Sequence, residues 1–173
     1  ERAALDGAAV TDDRHPVAQL LDLHRTFQGG RGSGIDLAAS VTGGVVEYEL
    51  TGGGRIPSAR PIELPVNLHL VFLWTGRSAS TGDFLARLDA EMKGDGEEIA
   101  KVLHELGRIS VAGIAECRNG NTSALLDRVS DFGTTMERLG KAAGIPILSD
   151  EHLQLRRIAD DVGVSYKPSG AGG

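Results

Sequence analysis

The chain has 173 residues, a formal net charge of −6 and 40% hydrophobic residues, with only 4% aromatic. That length suits one domain or a compact two-layer unit whose core is mostly Leu, Ile, Val and Ala. The acidic balance argues against a general nucleic-acid or anionic-membrane surface, and the single cysteine, Cys117, excludes an intrachain disulfide framework and fits a reducing compartment.

In chain order, "ERAALDGAAV" at 1–10 reads as the tail of a helix. "PVAQLLDLHRTF", 16–27, has mostly helical apolar spacing, with Pro16 suited to the first turn and Gly29 and Gly30 to the end. A helical turn or short helix is expected at 36–42, after the glycine loop. "VVEYEL", 45–50, predicts a strand, "TGGGR" a turn, and "PSARPIELP" an extended connection. "NLHLVFLWT", 67–75, is the strongest strand signal in the chain. Four helices are then predicted, at 80–92, 97–116, 122–143 and 150–162. Ser80 or Thr81 would cap the first, Gly144 would end the third, and Ser149 would cap the fourth. A strand at 163–166 and a glycine loop follow. Strands grouped early and helices late predict an α+β fold, with the strands near 45–50, 67–75 and 163–166 sharing one antiparallel sheet under the helices.

No apolar run reaches membrane-span length and no secretory segment is seen, so a cytoplasmic location is expected, without membrane or nucleic acid as partner. The 24 glycines are about twice ordinary usage. They cluster at 29–34, 43–44, 52–54 and 170–173. In "GRGSGIDLAASVTGG", Ser33, Gly34 and Asp36 could bring backbone N–H groups and one acid close to an anion. The same residues suit a helix end followed by Asp36 as N-cap. The spacing fits neither a P-loop nor a Rossmann fingerprint. "KPSGAGG", 167–173, could cradle a phosphate through its N–H groups, or be a flexible terminus. "WTGRSAST", 74–81, offers hydroxyls at a helix start, for substrate contact or simple capping. "DFG" at 131–133 falls in a helical pattern and is no kinase switch. The five histidines lack paired metal-ligand spacing. Cys117 reads as packing.

Taken in order, "GRGSGIDLAASVTGGVVEY", "LWTGRSAST" and "GIPILSDEHLQLRRIADDVGVSYKPSGAGG" resemble the GHMP kinases, and within them the branch that phosphorylates phosphomevalonate in the mevalonate route to isoprenoids. The resemblance covers nearly the whole chain. It implies transfer of a phosphoryl group from ATP, with Mg²⁺, to a phosphorylated small molecule. It implies that residues 1–44 are a helical segment and Asp-bearing loop from the end of an N-terminal domain. Residues 45–173 would then belong to a C-terminal α+β domain with a ferredoxin-like antiparallel sheet covered by helices. By the resemblance, Asp36 matches the active-site aspartate of the S-G-x-D motif, with Ser33 and Gly34 beside the substrate. Ser169, Gly170, Ala171 and Gly172 match the third, glycine-rich motif. Ser80 and Thr81 fall near the acceptor. Asp36 is therefore expected within about 10 Å of the 169–172 loop, since both would touch one small substrate. The chain departs from the family in lacking the P-x-x-x-G-L-G-S-S-A loop, the strands before it and the catalytic lysine. It resembles the C-terminal two-thirds of such a kinase, and the isolated chain is expected to be inactive. Mevalonate kinase, another GHMP small-molecule kinase and a non-catalytic GHMP-fold module are the alternatives.

Overall fold

The computed structural model describes residues 20, 21, 23, 24, 26, 33–50, 57–76, 80–94 and 96–170. The chain divides into two compact units, residues 1–64 and 65–173. The tail at 1–10, Pro16, the glycines at 29–30 and the "TGGGR" turn lie outside the described residues.

In the first unit, Leu20, Leu21, Leu23, His24 and Thr26 are helical, as the spacing of 16–27 predicts. Helix α1 (Ile35–Thr42) follows the glycine loop. Strands β1 (Val46–Glu49) and β2 (Ser58–Pro61) pair antiparallel, with Val46 opposite Pro61 and Tyr48 opposite Ala59. Residues two apart share one face of a strand. Val46 and Tyr48 accordingly pack together against Ala38 of α1 and Ala59 of β2, both buried. The connection expected to be merely extended is thus the second strand. Pro61 is tolerated there because each strand of a two-stranded sheet has an open edge, where a missing N–H costs little.

The second unit holds α2 (Thr81–Met92), α3 (Glu97–Arg118), α4 (Thr122–Ala142) and α5 (Asp150–Asp161), within two residues of the expected bounds. Ile99, Val102 and Leu106 repeat on one face of α3. Met136 and Leu139 do so on α4, with Ala143 just beyond its end. With Leu88, Ile145 and Ile147 they form one core, flanked by Phe84, Leu103 and Phe132. Each such burial contributes about 1.5–3 kcal/mol. Asn121 caps α4 by accepting from the Ala124 N–H at 3.3 Å.

Two expected strands are corrected. Residues 67–75 form no strand, and Val71, Phe72, Leu73 and Trp74 are 61–85% exposed. Apolar content creates a demand for burial, but a strand also needs a neighbour for its N–H and C=O groups. No described segment pairs with this one. Residues 163–166 likewise join no sheet. The Val164 N–H donates to the Ala159 carbonyl at 2.8 Å, and Ser165 and Tyr166 bond to side chains of α4 and α5. The described sheet is therefore β1–β2 alone, and the fold is α+β, with a two-stranded antiparallel sheet and five helices from Ile35 onward among the described residues.

Glu137 ties α4 to α5. It accepts from Arg156 at 2.6 Å and pairs with Lys141 at 2.8 Å. The Lys141 and Arg156 hydrogen bonds hold its carboxyl below the usual range. A lowered folded-state pKa stabilises above the unfolded pKa and is lost as pH falls through the folded one. Wild type should therefore exceed Glu137→Gln by about 1 kcal/mol at neutral pH. The gap should close below about pH 4 in denaturation curves.

Candidate functional site

Gly34 is the N-cap of α1, with φ 77° and ψ 12°, a left-handed conformation that glycine adopts without strain. Its carbonyl accepts the first helical bond, from the Ala38 N–H at 2.9 Å. A Cβ at Gly34 would overlap the Leu21 side chain and approach the Tyr48 hydroxyl. The Tyr48 hydroxyl donates to the Ser33 carbonyl, and the Ser33 Oγ accepts from the Ile35 N–H at 3.4 Å. The loop is thus pinned between the preceding helix and β1. Asp36 is not the N-cap; it stands in the first turn, where the helix dipole favours a negative charge. Its carboxylate is 65% exposed, and its Oδ2 lies 3.8 Å from the Nε2 of the mostly buried His24. His24 has no histidine partner at metal-ligand spacing to mark it. The one available signal was its place on a helix leading into the loop.

The segment before the second glycine loop is held at several points. Ser130 Oγ bonds to Ser165 Oγ at 3.1 Å, and the Tyr166 hydroxyl bonds to His152 Nδ1. Burial raises the Tyr166 pKa, against an opposing pull from Arg156. The Lys167 ammonium donates to the Pro168 carbonyl at 3.0 Å and lies 5.2 Å from the Phe132 ring centroid. Desolvation there lowers its pKa. Gly133, the glycine of "DFG", lets this backbone pass: a Cβ would come within 2.9 Å of the Tyr166 carbonyl. Ser169 and Gly170 follow, both exposed, with Gly170 at φ 66°. Ala171 and Gly172 lie outside the described residues. Asp36 belongs to the first unit and Ser169 and Gly170 to the second.

Ser80 is the N-cap of α2, its side chain accepting from the Asp83 N–H at 3.2 Å, and Thr81 opens the helix; both are exposed. Ser80→Ala should cost about 1 kcal/mol in thermal or denaturant unfolding, and Ser80→Asp should retain most of it. Cys117 is buried, and burial raises its thiol pKa, away from the reactive thiolate. No cluster of three metal-ligating side chains occurs among the described residues. A nucleotide-bound Mg²⁺ takes only one or two protein carboxylates, its other ligands being phosphates and water. Asp36 fits that demand as one exposed carboxylate. No helix among the described residues is long and apolar enough to cross a membrane.

No family model matches the chain, and neither does any solved structure. Over 182 aligned residues it is 25% identical to "Phosphomevalonate kinase" of Streptomyces sp. (strain CL190), covering 94% of this chain and 48% of that protein. The chain thus spans about half the length of that relative, and the likeness supports a distant, GHMP-like kinase relationship.

Proposed function

We propose that this chain belongs to a GHMP-type small-molecule kinase that transfers the γ-phosphoryl group of ATP to phosphomevalonate, giving the diphosphate. The observation that carries this reading is the likeness to a phosphomevalonate kinase along 94% of the chain. The turn at Gly34, which sets Asp36 at a helix start, supports it. In the proposed arrangement the chain supplies the end of the N-terminal domain and a C-terminal α+β domain. In this reading Asp36 would serve the acceptor, with Ser33 and Gly34 beside it.

Phosphoryl transfer depends on positioning and charge neutralisation more than on covalent help. Asp36 is the carboxylate that would help hold Mg²⁺, which when bound would supply neutralisation of phosphate charge. Asp36 would then act according to the acceptor. A phosphate monoester is already largely ionised near neutrality, its second pKa being about 6. Asp36 would therefore orient the acceptor or a cation and abstract no proton. Ser169 and Gly170 would offer backbone N–H groups to phosphate oxygens.

The reading is tested by ³¹P NMR on the full polypeptide that carries this chain, with ATP, Mg²⁺ and either phosphomevalonate or mevalonate. A new diphosphate from phosphomevalonate supports it. Transfer to mevalonate alone replaces it with the mevalonate kinase reading. Transfer to neither, in folded protein, leaves the non-catalytic module.

A further inference from the structure

A groove of about 930 Å³ runs between α3 and α4. Its α4 wall includes Arg128, Asp131, Thr135 and Arg138, a stripe on the side of the helix away from Gly133 and the 166–167 backbone. The groove holds three carboxylates, and each is already matched. Glu97 pairs with Lys101 at 2.7 Å, Asp131 with Arg128 at 2.8 Å, and Glu105 with Arg138 at 2.8 Å across the two helices. That leaves Arg108 and His104, which have no ion-pair or hydrogen-bond partner among the described residues. They stand four residues apart on α3, so their side chains are neighbours, about 5–6 Å between Cβ atoms. Both line the groove, as does the Thr134 hydroxyl. The groove therefore carries an uncompensated positive charge and spare donors, on a chain whose net charge is −6.

We infer that the α3–α4 groove binds a small phosphate-bearing anion, with Arg108 as its principal charged contact and His104 and Thr134 as supporting donors. A guanidinium presents paired N–H groups that match phosphate oxygens, and a charge-assisted bond of that kind is about twice as strong as a neutral one. The neighbouring carboxylates do not oppose such a ligand in full, because each is held by its own cation. The volume lies within the range of small-molecule sites, about 300–1,000 Å³. This site is built from α3 and α4 residues alone, shares none with the residues proposed for the kinase reaction, and does not depend on that reaction.

The test uses the 173-residue chain, ¹⁵N-labelled, titrated separately with inorganic diphosphate and with glycerol 3-phosphate. Saturable amide shifts centred on residues 104, 108 and 134 are expected with at least one probe, the tighter probe showing whether a free or an esterified phosphate is preferred. Arg108→Gln should weaken binding about 10-fold or more, as loss of a hydrogen bond to a charged group implies. Arg157→Gln, which removes an exposed charge on α5, should leave it unchanged, and Arg108→Lys should retain part of it. The inference is overturned by shifts centred on Ser169 and Gly170 alone, by equal weakening in both glutamine variants, or by no saturable shift with either probe.

Discussion

If the proposed kinase reading holds, Asp36→Asn, introduced into the full polypeptide that carries this chain, is expected to abolish most turnover while leaving folding and nucleotide binding nearly intact. The side chain is 65% exposed and fills no part of the core, so the near-isosteric amide disturbs no packing. Its neighbour, His24 Nε2 at 3.8 Å, keeps a polar group beside it, and the lost contact is worth under about 1 kcal/mol. The loop itself is set by Gly34, Leu21 and Tyr48, none of which depends on the Asp36 charge. What disappears is a fixed negative charge at the proposed acceptor. With phosphomevalonate as acceptor, loss of one such positioned electrostatic contact costs about 10²–10³ in kcat. The acid limb of the wild-type rate should then track the substrate phosphate, near pH 6. With an alcohol acceptor the loss is that of a general base, about 10²–10⁴, and the acid limb should vanish in the variant. Steady-state kinetics with a thermal melt separates these outcomes. An unchanged kcat would remove Asp36 from the site, whereas a collapsed melt would make it a folding residue.

The helices were legible because their signals are local. Ser80 and Ser149 sit where capping chemistry places them, and both accept from the N–H three residues on. The 99, 102, 106 and 132, 136, 139, 143 spacings name the faces that do meet. Sheet pairing was less legible because it is a contact between distant segments. "SARP" carries a proline and little hydrophobicity, yet it pairs with β1 because Ala59 is small enough to sit beneath Tyr48 and beside Ala38. "NLHLVFLWT" is rich in strand-forming residues, yet it pairs with no described strand. At the candidate site, the glycines announced the turn at Gly34, but only its place on the preceding helix pointed to His24 beside Asp36, and nothing announced Phe132 beneath Lys167. Those neighbours come from tertiary packing, which spacing along the chain does not encode.

Gly133→Ala is expected to destabilise the chain although the same change is favourable elsewhere in its helices. In a helix interior, Gly→Ala gains about 0.8–1.0 kcal/mol from propensity alone. Gly107 of α3 shows the unopposed case: nothing lies within 4 Å of an added Cβ, so Gly107→Ala should stabilise by about that amount. At Gly133 the new methyl would lie 2.9 Å from the Tyr166 carbonyl oxygen and 3.4 Å from the Lys167 Cβ. The first of these is backbone and cannot rotate away. Moving it strains the Tyr166 hydroxyl against His152 and lifts Lys167 from the Phe132 ring. Overpacking of this kind costs about 1–3 kcal/mol, enough to reverse the propensity gain. Denaturant unfolding should therefore move the two variants in opposite directions. Gly133→Ala should also perturb the amide resonances of Ser169 and Gly170, one and two residues beyond the Pro168 carbonyl that Lys167 caps. Stabilisation by Gly133→Ala with those resonances unmoved would show that the 164–168 segment does not rest on α4 and that the second glycine loop is not positioned by it.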